Sequence, residues 1–401
     1  MDDASYSNKV IQDIIKRNPG NDEIEFNLTL LVTEDCNLRC IYCFEPSKRP
    51  KSMPFNVAKT AIDKYLSRED GPEVVSIDFS GGEPLLEFDL IKKVFEYCTT
   101  QGSWNKKFRM SLGTNGTVLT KEMREWFTSH PCFQISLSLD GTKEVHDYNR
   151  SNSYDKIIEN IDFFRQYDQT VKMTISPYTI PRLADCIVHI HELGLKPEAN
   201  VVFEDIWGAP EEKAKLLRIY ARELDKLVDF YAANPDLPAP KLVGQRIEML
   251  LVDQEYGLEE KYCGAGKYMA AVMPDGKEYP CHRFSPLGSS TPTQAIDVDL
   301  PIVGPDKCIK CGVRRLCHSC LGANYEFNGS VDLRTVNHCE FEKLEILASA
   351  KLAAKRLEKY VNDHVIDSGE LDEDSVLKVA YLNNLGKAII WVQDNVHLQE
   401  V

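Results

Sequence analysis

Six short apolar runs, each followed by a helical pattern, constrain this chain more than any other feature. They are Phe26–Thr33, Val74–Ser80, Phe108–Gly113, Gln134–Leu139, Val171–Ser176 and Asn200–Asp205. Several are β-branched or alternate with period two, as in Gln134-Ile135-Ser136-Leu137-Ser138-Leu139. Between them Phe55, Ala58, Ile62 and Tyr65 recur at helical spacing. So do Ile157, Ile161 and Phe164, behind Ser153 as the expected cap. Repeated strand–helix alternation specifies an α/β fold with a parallel sheet and right-handed crossovers. An eight-stranded barrel takes about 250 residues. Six units ending by Asp205 are too few for one, so the expectation is a partial, open (β/α)6 barrel.

A long helical pattern from Pro210 to Ala233 then runs into Asn234-Pro-Asp-Leu-Pro-Ala-Pro240, a break that reads as a domain boundary. From 241 to 345 the chain is rich in Cys and Gly and too irregular for a large apolar core, so metal is expected to hold it together. A charged amphipathic helix follows from Glu340 to about Asp363. Ser368-Gly369 breaks it, and Val376–Leu398 is helical again. The expected organisation is a barrel over 1–235, a Cys-rich domain over 236–345 and a helical extension over 346–401.

Charge narrows the partners. Lys and Arg number 47 against 62 Asp and Glu, a net charge of −15 that disfavours nucleic acid and suits a short cationic peptide better. No run approaches the roughly 20 apolar residues of a membrane helix. Met1-Asp2-Asp3 is acidic where a signal peptide is basic, so a cytoplasmic protein is expected.

Thirteen cysteines are then the anomaly. An odd count without a secretion signal argues against disulfides and for metal. Cys36-Asn-Leu-Arg-Cys40-Ile-Tyr-Cys43 is a CX3CX2C placed after the first strand. Three thiolates do not complete a tetrahedral zinc site, whereas this spacing suits three corners of a [4Fe–4S] cube. With Tyr42 inside it, the motif resembles that of the radical S-adenosylmethionine (SAM) enzymes. The resemblance implies that the fourth iron chelates SAM, which on reduction yields methionine and a 5′-deoxyadenosyl radical.

The later strand ends extend the likeness. Ser80-Gly81-Gly82-Glu83-Pro84 resembles the family segment that hydrogen-bonds the SAM amino group, its glycines suited to close backbone approach to a ligand. Asn115 lies in Gly113-Thr114-Asn115-Gly116. Ser138 matches the ribose-binding position, and Arg150 of His146-Asp147-Tyr148-Asn149-Arg150 the carboxylate-binding arginine. Ser176 and Glu204-Asp205 close strands five and six. Polar groups thus gather at the carboxyl ends of the strands, where parallel α/β folds hold their active sites.

The second cysteine group runs Cys263, Gly276, Cys281, then Cys308-X2-Cys311-X5-Cys317-X2-Cys320 and Cys339. Seven cysteines exceed one four-ligand centre. The pattern resembles the SPASM domain of enzymes that act on peptides, with two residues rather than three between Cys317 and Cys320. It implies auxiliary cluster I on Cys263, Cys281 and Cys320, and auxiliary cluster II on Cys308, Cys311, Cys317 and Cys339. With the SAM-binding cube, that makes three [4Fe–4S] clusters. In sulfatase-maturing relatives a fourth ligand to cluster I stands where this chain has Met269. Either cluster I keeps an open iron, or Cys98, Cys132 or Cys186 completes it. Those three read otherwise as small buried hydrophobes. CX2C pairs also make zinc knuckles, the competing reading of this group.

Three functions follow. One is a peptide maturase that forms a thioether or carbon–carbon crosslink, or epimerises a residue. Another is an anaerobic sulfatase-maturing enzyme making formylglycine; that family has an aspartate base after the GX4C cysteine, where this chain has His282 as candidate base. The third is a non-enzymatic iron–sulfur carrier or zinc scaffold, which needs none of the SAM-binding elements. The expected partners are a peptide, a low-potential reductant such as a flavodoxin or ferredoxin, and a separate leader-binding protein. Only a short segment precedes the first strand, too short for a fused peptide-binding winged helix.

Overall fold

The computed structural model describes residues 25–45, 47–100, 103–167, 170–245, 247, 250, 264–285, 306–314, 316–317, 319–335, 337–363 and 373–396. Cys263, the Ser368-Gly369 break and the segment before the first strand lie outside them.

The strands are β1 (Glu25–Thr33), β2 (Val74–Gly81), β3 (Lys107–Thr114), β4 (Phe133–Leu137), β5 (Thr170–Ile175) and β6 (Lys196–Val201). The helices between them are α1 (Phe55–Leu66), α2 (Phe88–Thr100), α3 (Lys121–Ser129), α4 (Lys143–Asn149), α5 (Tyr154–Ile158), α6 (Ile161–Arg165) and α7 (Leu183–Glu192). β1 to β4 pair in parallel, in register from Leu28 opposite Ile77 to Thr114 opposite Leu137. β5 and β6 form a second parallel pair. A bridge between Ser138 and Lys172 joins the two sheets, so the six strands curve round as an open barrel.

Two local expectations change. The sixth strand runs Lys196–Val201, not Asn200–Asp205. Pro197 is tolerated there because β6 is an edge strand of its pair, where a missing N–H breaks no ladder. Glu204 and Asp205 thus lie beyond the strand. Ser153 does not cap a helix by its side chain. Its hydroxyl donates to the Arg150 carbonyl (2.7 Å) and meets His146 Nε2 (2.9 Å), and the expected single helix is the short pair α5 and α6.

Alternation decides the barrel's two faces. Leu28, Leu30, Ile77, Phe79, Leu112, Ile135 and Met173 are buried on the outer face of the sheet, in one core with the helices. Burying each such side chain contributes about 1.5–3 kcal/mol. The opposite positions, Asn27, Thr29, Asp78, Ser111, Ser136 and Lys172, are polar and line a cavity of about 300 Å³ inside the barrel. Typical barrels fill that space with branched apolar side chains. Here it is hollow.

Beyond the barrel, α8 (Pro210–Ala233) starts with Pro210 at its first position, and the Ala209 N–H donates to the Glu212 carboxylate at 3.0 Å. The short α9 (Lys241–Gly244) follows. β7 (Met269–Val272) then joins β1 in parallel, Leu28 opposite Ala270 and Leu30 opposite Val272, and β8 (Glu278–Tyr279) pairs antiparallel to β7. The Cys-rich segment therefore extends the barrel's own sheet. Its remaining helices are α10 (Asp306–Ile309) and α11 (Leu321–Asn328), followed by α12 (Cys339–Asp363) and α13 (Glu373–Asn395). α12 runs across the expected boundary at 345–346 and places Phe341, Leu344, Ala348 and Leu352 in the barrel's core.

Candidate active site

The first cysteine loop leaves β1 and is held from several sides. The Cys36 N–H donates to Asp35 Oδ1 (2.8 Å), and the Leu38 N–H to Cys36 Sγ (3.4 Å). Lys48 Nζ donates to Cys43 Sγ at 3.3 Å. The Ile41 N–H donates to the Asn149 carbonyl (3.1 Å). Burial raises the Cys36 thiol pKa and pushes that of Cys40 up to about 11.

Gly81 and Gly82 border the cavity described below and also pack against this loop. A Cβ on Gly81, whose φ is +130°, would stand 2.1 Å from the Thr33 carbonyl oxygen. One on Gly82 would stand 1.9 Å from that of Asp35. The glycines let β2 press backbone to backbone against the loop, with Gly82 and Glu83 N–H groups donating to Thr33 and Asp35 carbonyls at 3.0 and 2.8 Å. The buried Glu83 carboxylate then accepts from Thr114 Oγ1 (2.7 Å), Asn115 N–H (2.8 Å) and Leu85 N–H (3.1 Å). Burial raises its pKa.

Asp140 is the residue sequence reasoning passed over. It pairs with Arg150 Nε at 3.1 Å and accepts from Tyr42 (2.5 Å), Asn149 Nδ2 (3.1 Å) and the Thr174 N–H (3.0 Å). The Arg150 guanidinium lies 5.4 Å from the Tyr42 ring centre. Asp140 ends the run Ser138-Leu139-Asp140-Gly141, so its place at a strand's carboxyl end was a signal available in the sequence. His146 of the same segment is structural. Burial lowers its pKa to about 4, and it accepts from the Asp140 N–H at 3.2 Å.

One cavity of about 710 Å³ collects these groups. Cys36, Cys40 and Cys43 line it with Tyr42, Gly81, Gly82, Glu83, Asn115, Ser138 and Arg150. Met269, Cys281, His282 and Cys320 line it as well. Asp78, Lys172, Met269 and His282 border both this cavity and the smaller one inside the barrel. Burial lowers the His282 pKa to about 4, helped by Lys172 and Arg283 nearby, so its imidazole is neutral at physiological pH. Arg283 binds Glu204 and Glu326, each at 2.6 Å, and lies 4.8 Å from the Phe44 ring centre.

The other cysteines divide. The Cys317 thiol, pushed up to about 12 by burial, feels Cys339 and Cys308 as neighbours. Cys98 and Cys186 are buried, as expected of small hydrophobes, whereas Cys132 is exposed at the turn before β4. None of these three borders the cavity that holds Cys281 and Cys320. Among the described residues no three His, Cys, Asp or Glu side chains converge as a single metal ion requires.

The Radical SAM superfamily model matches residues 30–193. Residues 30–193 form a radical SAM domain. The chain is 29% identical over 343 residues to a cysteine-type anaerobic sulfatase-maturating enzyme of Clostridium novyi, covering 75% of this chain and 90% of the relative. It is 30% identical over 177 residues to an uncharacterized protein of Methanocaldococcus jannaschii; that match takes in 42% of this chain and spans 60% of the relative's length. The solved structure of native anSMEcpe with bound AdoMet and Kp18Cys peptide superposes with a TM-score of 0.64 at 21% identity, over 84% of this chain and 100% of that one. The radical SAM domain and the Cys-rich segment thus share the fold of that enzyme. No helix among the described residues is long and apolar enough to cross a membrane.

Proposed function

We propose that this radical SAM enzyme is a cytoplasmic peptide maturase, which removes hydrogen from a ribosomally made peptide and forms a thioether or carbon–carbon crosslink. The observation that carries the reading is one cavity lined by Cys36, Cys40 and Cys43 together with Cys281, Cys320 and His282. A side chain entering it meets both cysteine groups at once.

Cys36, Cys40 and Cys43 would hold the first [4Fe–4S] cluster, since all three cysteines line the cavity. That cluster and SAM together supply a 5′-deoxyadenosyl radical. Glu83 and the backbone of Gly81 and Gly82, which border the cavity, would receive the SAM amino group. Asn115 and Ser138 border the same cavity, and Arg150, paired with Asp140 and lying over the Tyr42 ring, would bind the SAM carboxylate. Cys281 and Cys320, with Cys263, would hold auxiliary cluster I, and Met269 would supply no thiolate as a fourth ligand, so that a substrate could bind there. Cys308, Cys311, Cys317 and Cys339 would hold auxiliary cluster II, giving three clusters. His282, which lines the cavity, would be the base that accepts a substrate proton. A flavodoxin or ferredoxin would supply electrons, and a separate protein would bind the leader. The outer edge of β1 is taken by β7, so an extended peptide enters over the cavity rather than along that strand.

A second reading, formylglycine formation from a sulfatase cysteine, is favoured by the match over 90% of the Clostridium novyi enzyme. Mass spectrometry separates them. The enzyme is incubated anaerobically with SAM, dithionite and either a cysteine-containing sulfatase-type peptide or the short peptide encoded beside its gene. A crosslink removes two hydrogens and keeps the sulfur; formylglycine from cysteine loses the sulfur. Release of 5′-deoxyadenosine with neither product would sink both readings.

A further inference from the structure

The loop that carries Cys308, Cys311 and Cys317 is roofed by the carboxy-terminal helix. Ala388, Trp391 and Val392 of α13 pack with Val313 and Leu316 of the loop and Ile346 of α12 in one apolar cluster, and Cys311 lies against it. The tightest approach is Trp391 on Gly312. A Cβ at Gly312 would stand 2.3 Å from Trp391 Cη2 and 2.8 Å from Cζ2, so only glycine admits the indole at that point. The ring therefore rests on backbone one residue after Cys311.

This cluster is separate from the barrel's core and encloses no catalytic side chain. It sits on the stretch that supplies three of four ligands to the proposed auxiliary cluster II. An apolar shell around a metal site controls solvent access and redox potential. We propose that α13 is the dry cover of that centre, and that Trp391 is a positioning residue that holds the Cys308–Cys317 loop closed. The inference rests on reading Cys308, Cys311, Cys317 and Cys339 as iron–sulfur ligands.

The test uses full-length protein reconstituted anaerobically with iron and sulfide, and reads iron content, electron paramagnetic resonance and bleaching in air. Trp391→Ala is expected to hold its iron anaerobically, yet to lose one of the three centres about tenfold faster in air. The centre at Cys36, Cys40 and Cys43 should keep its spectrum and its SAM cleavage. Gly312→Val, which forces the indole off without removing it, should behave likewise, and Trp391→Phe should fall between them and the parent. Bleaching at the parent rate in Trp391→Ala and Gly312→Val overturns the proposal. So does acceleration shared by the first centre, which reports general loosening. Failure of the underlying reading looks different: replacing Cys308 and Cys317 by Ala would then leave the iron content unchanged.

Discussion

Arg283 binds Glu204 at 2.6 Å from within the second cysteine group, while its guanidinium lies over Phe44 of the first. One side chain thus touches both cysteine groups and the segment after β6, and its second bond to Glu326 reaches α11. Arg283→Met keeps the bulk and removes the charge. Both carboxylates are about a quarter exposed, so breaking the pair costs less than the roughly 3–5 kcal/mol of a fully buried one. A lowered melting temperature is expected, with peptide modification falling further than SAM cleavage, measured as product formed per 5′-deoxyadenosine.

Asp140 supports Arg150 and Tyr42 together. Asp140→Asn leaves the buried Arg150 without its counter-charge. SAM affinity should fall about tenfold, in line with the loss of a supporting contact around a bound cofactor. Equilibrium dialysis of SAM against anaerobic enzyme measures it, and unchanged affinity would remove Asp140 from the site.

Replacing Cys36, Cys40 and Cys43 together should abolish SAM cleavage and leave about eight of about twelve irons. Iron assay and absorption spectra give the count. Loss of all iron would show that the second cysteine group does not load independently.

Glu345 gives the stability a pH dependence. Its carboxyl is buried, takes a hydrogen bond from Tyr220 at 2.8 Å, and has its pKa raised to about 8 by burial and by the Glu342 charge. In that range the folded chain holds a proton which the unfolded chain has released, so stability falls as pH rises from about 5 to 8. Melting temperatures across that window should decline, and Glu345→Gln should flatten the decline.

Much of this was legible in the sequence because strand alternation and cysteine spacing are local signals. β1, β2 and β3 lie within a residue of their expected bounds, and α8 runs from Pro210 to Ala233 as read. The expected SAM-binding residues all border one cavity. What escaped depended on tertiary placement. Cys132 looked like Cys98 and Cys186, but it sits in the turn before β4, outside the core. Asp140 works through partners from three segments, and no spacing encodes such a convergence. The glycine pair was recognised as a place of close approach, yet its partner, the backbone of Thr33 and Asp35, is distant in sequence.

The pairing of β7 with β1 has a consequence for how such a site diversifies. Cys36 follows β1 by three residues, and Cys281 follows β7 across one short hairpin, so a backbone ladder acts as the ruler between the two cysteine groups. Ladder spacing is indifferent to side-chain identity. The residues facing the cavity can therefore be exchanged while the reach from one cysteine group to the other stays constant.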